Sequence, residues 1–154
     1  MTAHLKVCFP GAMATLQDFG RSGLRKVGVP RAGALEPGWL RMANALVGNG
    51  EGSAAIEFFG GGLVLKAEDA PVRLALAGHF PAEIIALDGS RCSINGWRSL
   101  LLQPGEQLRC GVTRGTRAGY VALAGIEAPK LLGSASSYAR AGLGGLLAGG
   151  DVLL

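Results

Sequence analysis

The densest chemistry in the chain lies between Pro10 and Asn49. Gln17, Asp18 and Arg21 follow closely on one another within a frame of turn formers that includes Gly20, Gly23, Gly28 and Pro30. Glycine and proline suffice for a winding backbone, so an amide, a carboxylate and a guanidinium are additions that a turn does not need. Asp18 can accept from a substrate amide or take up a proton, and Arg21 can clamp a carboxylate or stabilise an oxyanion. The same two residues also suit a local ion pair that pins the loop, and the sequence leaves both readings open. Glu57, between Ile56 and Phe58 in a strand-like run, suits acid/base work if it faces a cleft, because burial raises a carboxyl pKa; facing solvent it is inert. His79 follows Ala77-Gly78 and is one of two histidines, which makes it the natural proton-transfer candidate beside its reading as an ordinary hydrogen-bonded histidine. Ser134 and Ser136 lie in a run of small polar residues from Gly133 to Arg140. A serine nucleophile needs a base, and neither a Gly-x-Ser-x-Gly elbow nor a nearby histidine accompanies them, so they read as a polar loop.

These groups must be held by short strands and turns. Leu5, Val7 and Phe9 alternate with His4, Lys6 and Cys8, which predicts a strand with the first set inward. Residues 10–36 read as irregular. Pro37 to Val47 is the one convincing helix: Pro37 fits the first helical position, and Trp39, Met42, Ala43, Leu46 and Val47 form an apolar stripe. Asn44 on that helix reads as a tie for the loop before it, since a buried amide needs partners. Strands follow at 55–59, 63–67, 72–77, 83–87, 92–94, 97–102, 107–110 and 119–124. Asp88-Gly89 and Asn95-Gly96 are hairpin signals. Many short strands at close spacing predict a mainly β barrel or sandwich. Asp151 to Leu154 looks like the start of another strand, which predicts that more chain normally follows.

Composition narrows the function classes. With 154 residues, 49% hydrophobic and 17% charged, one folded domain is the default. Twenty-six glycines without a period indicate tight turns rather than collagen or a linker. The net charge of +4 resides in residues 1–50, which carry six Lys/Arg against Asp18 and Glu36; the remainder is balanced. Such a basic lobe suits a carboxylate, a phosphate or an acidic partner, but it is too sparse and too poor in aromatics for nucleic acid. Cys8, Cys92 and Cys110 lack metal-ligand spacing and read as buried, reduced thiols of a cytoplasmic protein. The start lacks the apolar segment of a signal peptide, and no apolar run approaches a membrane span. The glycine clusters match neither a P-loop nor a dinucleotide fingerprint.

The Gln17–Gly23 and Ala43–Asn49 blocks carry a resemblance to the biotin-dependent carboxyltransferase-domain family. That family includes the C subunit of 5-oxoprolinase, allophanate hydrolase subunit 2 and part of urea amidolyase. Ala55-Ile56-Glu57, Leu74 to Gly78, Leu87-Asp88-Gly89, Gly96-Trp97-Arg98, Pro104-Gly105-Glu106, Gly133 to Ser136 and Gly142 to Gly145 continue it in order along nearly the whole chain. The resemblance implies a cyclophilin-like β-barrel. It also implies that residues 1–154 form one lobe, the N-terminal part of a longer protein whose second lobe is absent. The implied function is that of one member of an ATP-dependent complex opening 5-oxoproline to glutamate, together with a sister subunit and a lactam-opening subunit. The alternatives are carboxyl transfer from a biotinylated partner to urea, or a non-catalytic module that pairs with a sister subunit. On this resemblance the isolated chain binds no cofactor or metal, ATP or biotin being supplied through partners, and is inactive alone. The matched polar positions are Gln17, Asp18, Arg21, Asn44, Glu57, Asp88, Ser134 and Ser136. Asp18, Glu57 and His79 are the expected catalytic groups, and Gln17, Arg21, Ser134 and Ser136 the expected substrate contacts. Glu36, Ala77, His79 and Gly125 depart from the family pattern.

Overall fold

The computed structural model describes residues 2–153. In chain order the strands are β1 (Leu5–Pro10), β2 (Met13–Gln17), β3 (Ala55–Phe59), β4 (Leu63–Ala67), β5 (Val72–Ala77) and β6 (Ala82–Ile85). They continue with β7 (Arg91–Ile94), β8 (Arg98–Leu102), β9 (Gln107–Cys110), β10 (Ala118–Leu123) and β11 (Val152–Leu153), and the helix α1 (Pro37–Leu46) lies between β2 and β3. The expected mainly β architecture with one helix is what the chain adopts. All pairings are antiparallel, and they make a six-stranded sheet, β11-β1-β4-β9-β6-β7, and a five-stranded sheet, β2-β3-β10-β5-β8. The main core lies between them: Leu5, Val7, Leu63, Leu65 and Leu108 from the first sheet meet Ile56, Phe58, Leu74, Leu76 and Val121 from the second. Alternation with period two is what sends these side chains to one face.

Two expectations are corrected by the pairing. In β1, Leu5 and Val7 are inward as expected, but Phe9 is 57% exposed. The register runs Val7↔Leu65 and then Phe9↔Val64, so Cys8 is an extra residue. Such a bulge reverses the phase of every side chain beyond it. Asn95-Gly96 does not close a hairpin, because β7 is an edge of the six-stranded sheet and β8 an edge of the other. The chain changes sheets there. Asp88-Gly89, by contrast, does join the paired strands β6 and β7.

The helix is also turned from its expected orientation. Leu40, Ala43 and Asn44 are its buried residues, whereas Met42 is 50% and Leu46 39% exposed. Its floor is the outer face of the five-stranded sheet, where Ala55, Ala77, Ala118, Ala122 and Tyr120 pack against Leu40 and Ala43. Alanines allow close approach, and the helix rotates to bring its own small residue, Ala43, over them. Rotation also buries Asn44, whose Nδ2 donates to the Ser53 carbonyl (2.8 Å) and the Glu51 carbonyl (3.3 Å). Asn44 therefore ties down the loop after the helix, not the loop before it.

Candidate functional site

Asp18 stands just beyond the end of β2, and Gly20 lets the following loop fold back against it. Gly20 has φ +86, and a Cβ there would lie 2.6 Å from the Arg31 carbonyl oxygen, so only glycine permits this approach. Arg21 N–H donates to the Arg31 carbonyl (2.8 Å) and Ala34 N–H to the Asp18 carbonyl (2.9 Å), closing the loop on itself. The Asp18 and Arg21 side chains then face the distant segment 131–137.

The Asp18 carboxylate accepts four hydrogen bonds there. Its Oδ1 takes the Ser134 hydroxyl (2.5 Å), the Ser136 hydroxyl (2.6 Å) and Gly20 N–H (2.8 Å), and its Oδ2 takes Ala135 N–H (2.8 Å). Burial raises its pKa, but the bonds from Ser134, Ser136, Ala135 and Gly20 outweigh it and hold the carboxyl below the usual range. Arg21 works on the carbonyls of the same segment: Nε donates to Leu131 O (3.1 Å) and Nη2 to Ser136 O (2.7 Å) and Ser134 O (3.2 Å). Gln17 Nε2 donates to Ser137 O and to Thr15 Oγ1, both at 3.0 Å. Gln17, Asp18, Arg21, Ser134 and Ser136 are all buried. The fold thus brings five of the expected site residues into one knot. Asp18 and Arg21 do not form the local ion pair that is one reading of their spacing; each grips the same remote loop, one through its donors and the other through its acceptors. Two atoms in the knot, Gln17 Oε1 and Arg21 Nη1, are buried without a hydrogen-bond partner.

Glu57 lies elsewhere. In β3 it sits opposite Thr15 on one side and Tyr120 on the other, on the face that α1 covers. Its Oε2 accepts from the Tyr120 hydroxyl (2.5 Å) and from Leu35 N–H (2.8 Å), while the Tyr120 oxygen accepts from Glu36 N–H (2.9 Å). The pair therefore fixes the chain just where the helix begins, which explains how α1 starts without a side-chain cap. Burial raises the Glu57 pKa, the Tyr120 and Leu35 bonds offset part of this, and the neighbouring Glu36 charge adds to it. Burial together with the Glu57 hydrogen bond pushes the Tyr120 phenol up as well. Tyr120 is not among the residues that the sequence singles out; only its register across from Glu57 marks it.

His79 is exposed and belongs to the opposite end of the sheet. The register places Gln17 beside Ala55 at one end of the strands and Ala118 beside Phe59 at the other, with Ala77 next to Tyr120. Asp18 continues past the first end and His79 past the second. With three strand spacings between β2 and β5, the two side chains are on the order of 20 Å apart. His79 instead sits edge-to-face with Trp39 (5.5 Å) and Trp97 (5.6 Å). Asp88, at the tip of the β6–β7 hairpin, accepts from Ser90 N–H (2.8 Å), a turn contact whose hydrogen bonds lower its pKa.

Beside the Asp18 knot is a hollow of about 510 Å³ lined by Asp18, Ser53, Glu127, Lys130 and Ala135 among others. Lys130 forms no ion pair among the described residues and is the one cation on that lining. Among the described residues no cluster of three or more His, Cys, Asp or Glu side chains has the arrangement of a metal site. Among the described residues no helix is long and apolar enough to cross a membrane. The thiols depart from expectation: Cys110 is buried, but Cys8 and Cys92 are exposed, Cys8 because it alternates with the inward Leu5 and Val7 and Cys92 because β7 is an edge strand.

The model for a carboxyltransferase domain, subdomain A and B, matches residues 27–154. The chain is 34% identical over 151 residues to the C subunit of 5-oxoprolinase from Escherichia coli (strain K12), covering 92% of this chain and 44% of that protein. It is 33% identical over 157 residues to urea amidolyase of Saccharomyces cerevisiae, covering 97% of this chain and 8% of that one. The crystal structure of TTHA0988 superposes with a TM-score of 0.85 at 38% identity, over 97% of this chain and 55% of the other. The chain spans less than half the length of the E. coli relative.

Proposed function

Because the chain belongs to the carboxyltransferase-domain family with its A and B subdomains, we propose that it is the N-terminal lobe of a component like the C subunit of 5-oxoprolinase. In this reading it works in the cytoplasm with a sister subunit and a lactam-opening subunit. The complex adds water across the amide C–N bond of 5-oxoproline to give glutamate, while ATP is hydrolysed to ADP and phosphate. The observation that carries the proposal is the 34% identity to the E. coli 5-oxoprolinase protein, extending over 92% of this chain.

Within that complex the Asp18 knot is a wall of the site. Asp18, Ser134 and Ser136 have their hydrogen-bonding capacity engaged with one another, so their part is to hold the 131–137 loop in place. Lys130 stands on the rim of the neighbouring hollow, where an ammonium meets a carboxylate or a developing oxyanion. Arg21, with Nη1 left over, holds the carbonyls of Leu131, Ser134 and Ser136. Glu57, covered by Leu35 and the start of α1, is a positioning residue in this arrangement. ATP belongs to the partner subunits. The remaining walls of the site come from the second lobe or from a partner.

The test is co-expression with candidate sister and lactam-opening subunits, purification of the complex, and measurement of ATP-dependent glutamate release from 5-oxoproline. Release by the complex and none by this chain alone is the expected result. An intact complex that releases no glutamate sinks the proposal. The similarity to urea amidolyase favours a second reading, in which the lobe helps transfer a carboxyl group from a biotinylated partner to urea. That reading predicts urea-dependent consumption of carboxybiotin by the same purified complex.

A further inference from the structure

At the end of the five-stranded sheet remote from Asp18 lies a hollow of about 360 Å³, lined by His79, Phe80, Asn95, Gly96, Trp97 and Arg114 among others. Its floor is set by an unusually close backbone approach: a Cβ on Gly96 would come within 2.6 Å of the Gly78 carbonyl oxygen. Its walls are clamped together, since Arg114 N–H donates to His79 O (2.7 Å) and Trp97 N–H to Leu76 O (2.9 Å).

Trp97 is held at φ +60, a left-handed conformation that favours glycine and disfavours a bulky aromatic. Strain of this kind persists only where the surroundings enforce it, and it collects at ligand clamps. Here the enforcement comes from the Leu76 bond and from edge-to-face packing on Trp39 at 5.1 Å and His79 at 5.6 Å. The result is a half-buried indole on the lining of a concave surface.

The polar groups around this indole differ from those of the Asp18 knot. The side chains of His79, Asn95 and Arg114 make no hydrogen bond or ion pair with any described residue, and no acidic residue lines the hollow. Arg41 and Arg91, by contrast, are engaged, Arg41 with Glu51 at 3.3 Å and Arg91 with Glu83 at 3.1 Å. A free guanidinium fork, an amide and an imidazole around an indole make a recognisable set of ligand contacts. The fork matches a carboxylate, the indole offers a flat apolar surface, and the amide and imidazole can donate to or accept from further polar groups of the ligand.

We propose that this hollow is a binding site for a small, flat carboxylate, with Arg114 on the carboxylate and Trp97 against the flat face. The site is separate from the Asp18 wall and does not depend on the reaction assigned above. The chain has two tryptophans, and both belong to this cluster, so intrinsic tryptophan fluorescence reports on it alone.

The experiment titrates the full chain with pyrrole-2-carboxylate and, in parallel, with the uncharged pyrrole-2-carboxamide. Saturable quenching by the carboxylate is expected, with about tenfold or weaker binding for the carboxamide, the factor that loss of a charge-assisted hydrogen bond carries. Arg114→Met should weaken carboxylate binding by a similar factor while leaving the urea midpoint unchanged, because the side chain is exposed and only its backbone N–H serves the fold. Trp97→Gly, which relieves the left-handed strain, should abolish binding in a chain that remains folded by circular dichroism. Quenching that does not saturate, equal affinity for acid and amide, or an Arg114→Met variant that binds like the wild type would each overturn the assignment.

Discussion

Asp18 accepts hydrogen bonds from two hydroxyls and two backbone N–H groups, and each of them needs an oxygen. Asp18→Asn turns one acceptor into a donor facing Ala135 N–H. It should cost about 1–3 kcal/mol in urea unfolding at pH 7, the range for stranding a buried donor. The depressed carboxyl also sets a pH dependence. Its contribution is complete above the ordinary value of 3.8 and is lost as pH falls through the lower folded value, so the gap between wild type and variant should narrow below about pH 4. A gap independent of pH would show that the carboxylate form is not what the knot requires. Asp18, Arg21, Ser134 and Ser136 are visible in the sequence as polar residues among turn formers. That they meet is not visible, because the Ser134 contact joins positions 116 apart and no local pattern encodes that distance. Glu57 is legible as a strand residue of undetermined face; the register to Tyr120 decides it.

Among the elements, α1 shows how far local pattern reaches. Pro37 and the apolar stripe are enough to predict a helix with nearly the observed bounds. They are not enough to orient it, because the floor it meets is alanine-rich and that floor is assembled from three strands distant in sequence. Leu40 is the one large side chain of the helix that is fully buried in that contact. Leu40→Ala should therefore cost about 2–5 kcal/mol by loss of packing and the cavity left behind. Met42→Ala, on the exposed face, should cost less than about 1 kcal/mol. Equal losses at the two sites would mean that the predicted stripe, rather than the observed one, faces the sheet. The β1 bulge is a similar case: alternation from His4 to Phe9 predicts a strand, and one extra residue, invisible to periodicity, sends Phe9 outward.

For the molecule as a whole, two features lie out of reach of the sequence: which strands share a sheet, and which ends of the sheets carry the candidate groups. The expected trio of Asp18, Glu57 and His79 is divided among a loop knot, a helix floor and the far end of the sheet. The thiols give a direct check of the global arrangement. Burial holds the Cys110 thiol far above its ordinary range, and Cys8 and Cys92 are exposed. A thiol reagent should modify Cys8 and Cys92 in the native chain and Cys110 only in denaturant; rapid native reaction at Cys110 would place β9 outside the core.

The order β2-β3-β10-β5-β8 puts the late strand β10 between two early ones. A chain still emerging from the ribosome has β3 and β5 long before Ala118–Leu123 arrives to join them, and the loop that grips Asp18 comes later still. Folding of the two sheets is thus deferred until these later segments have been made, and until then the early apolar strands depend on whatever shields nascent chains from one another.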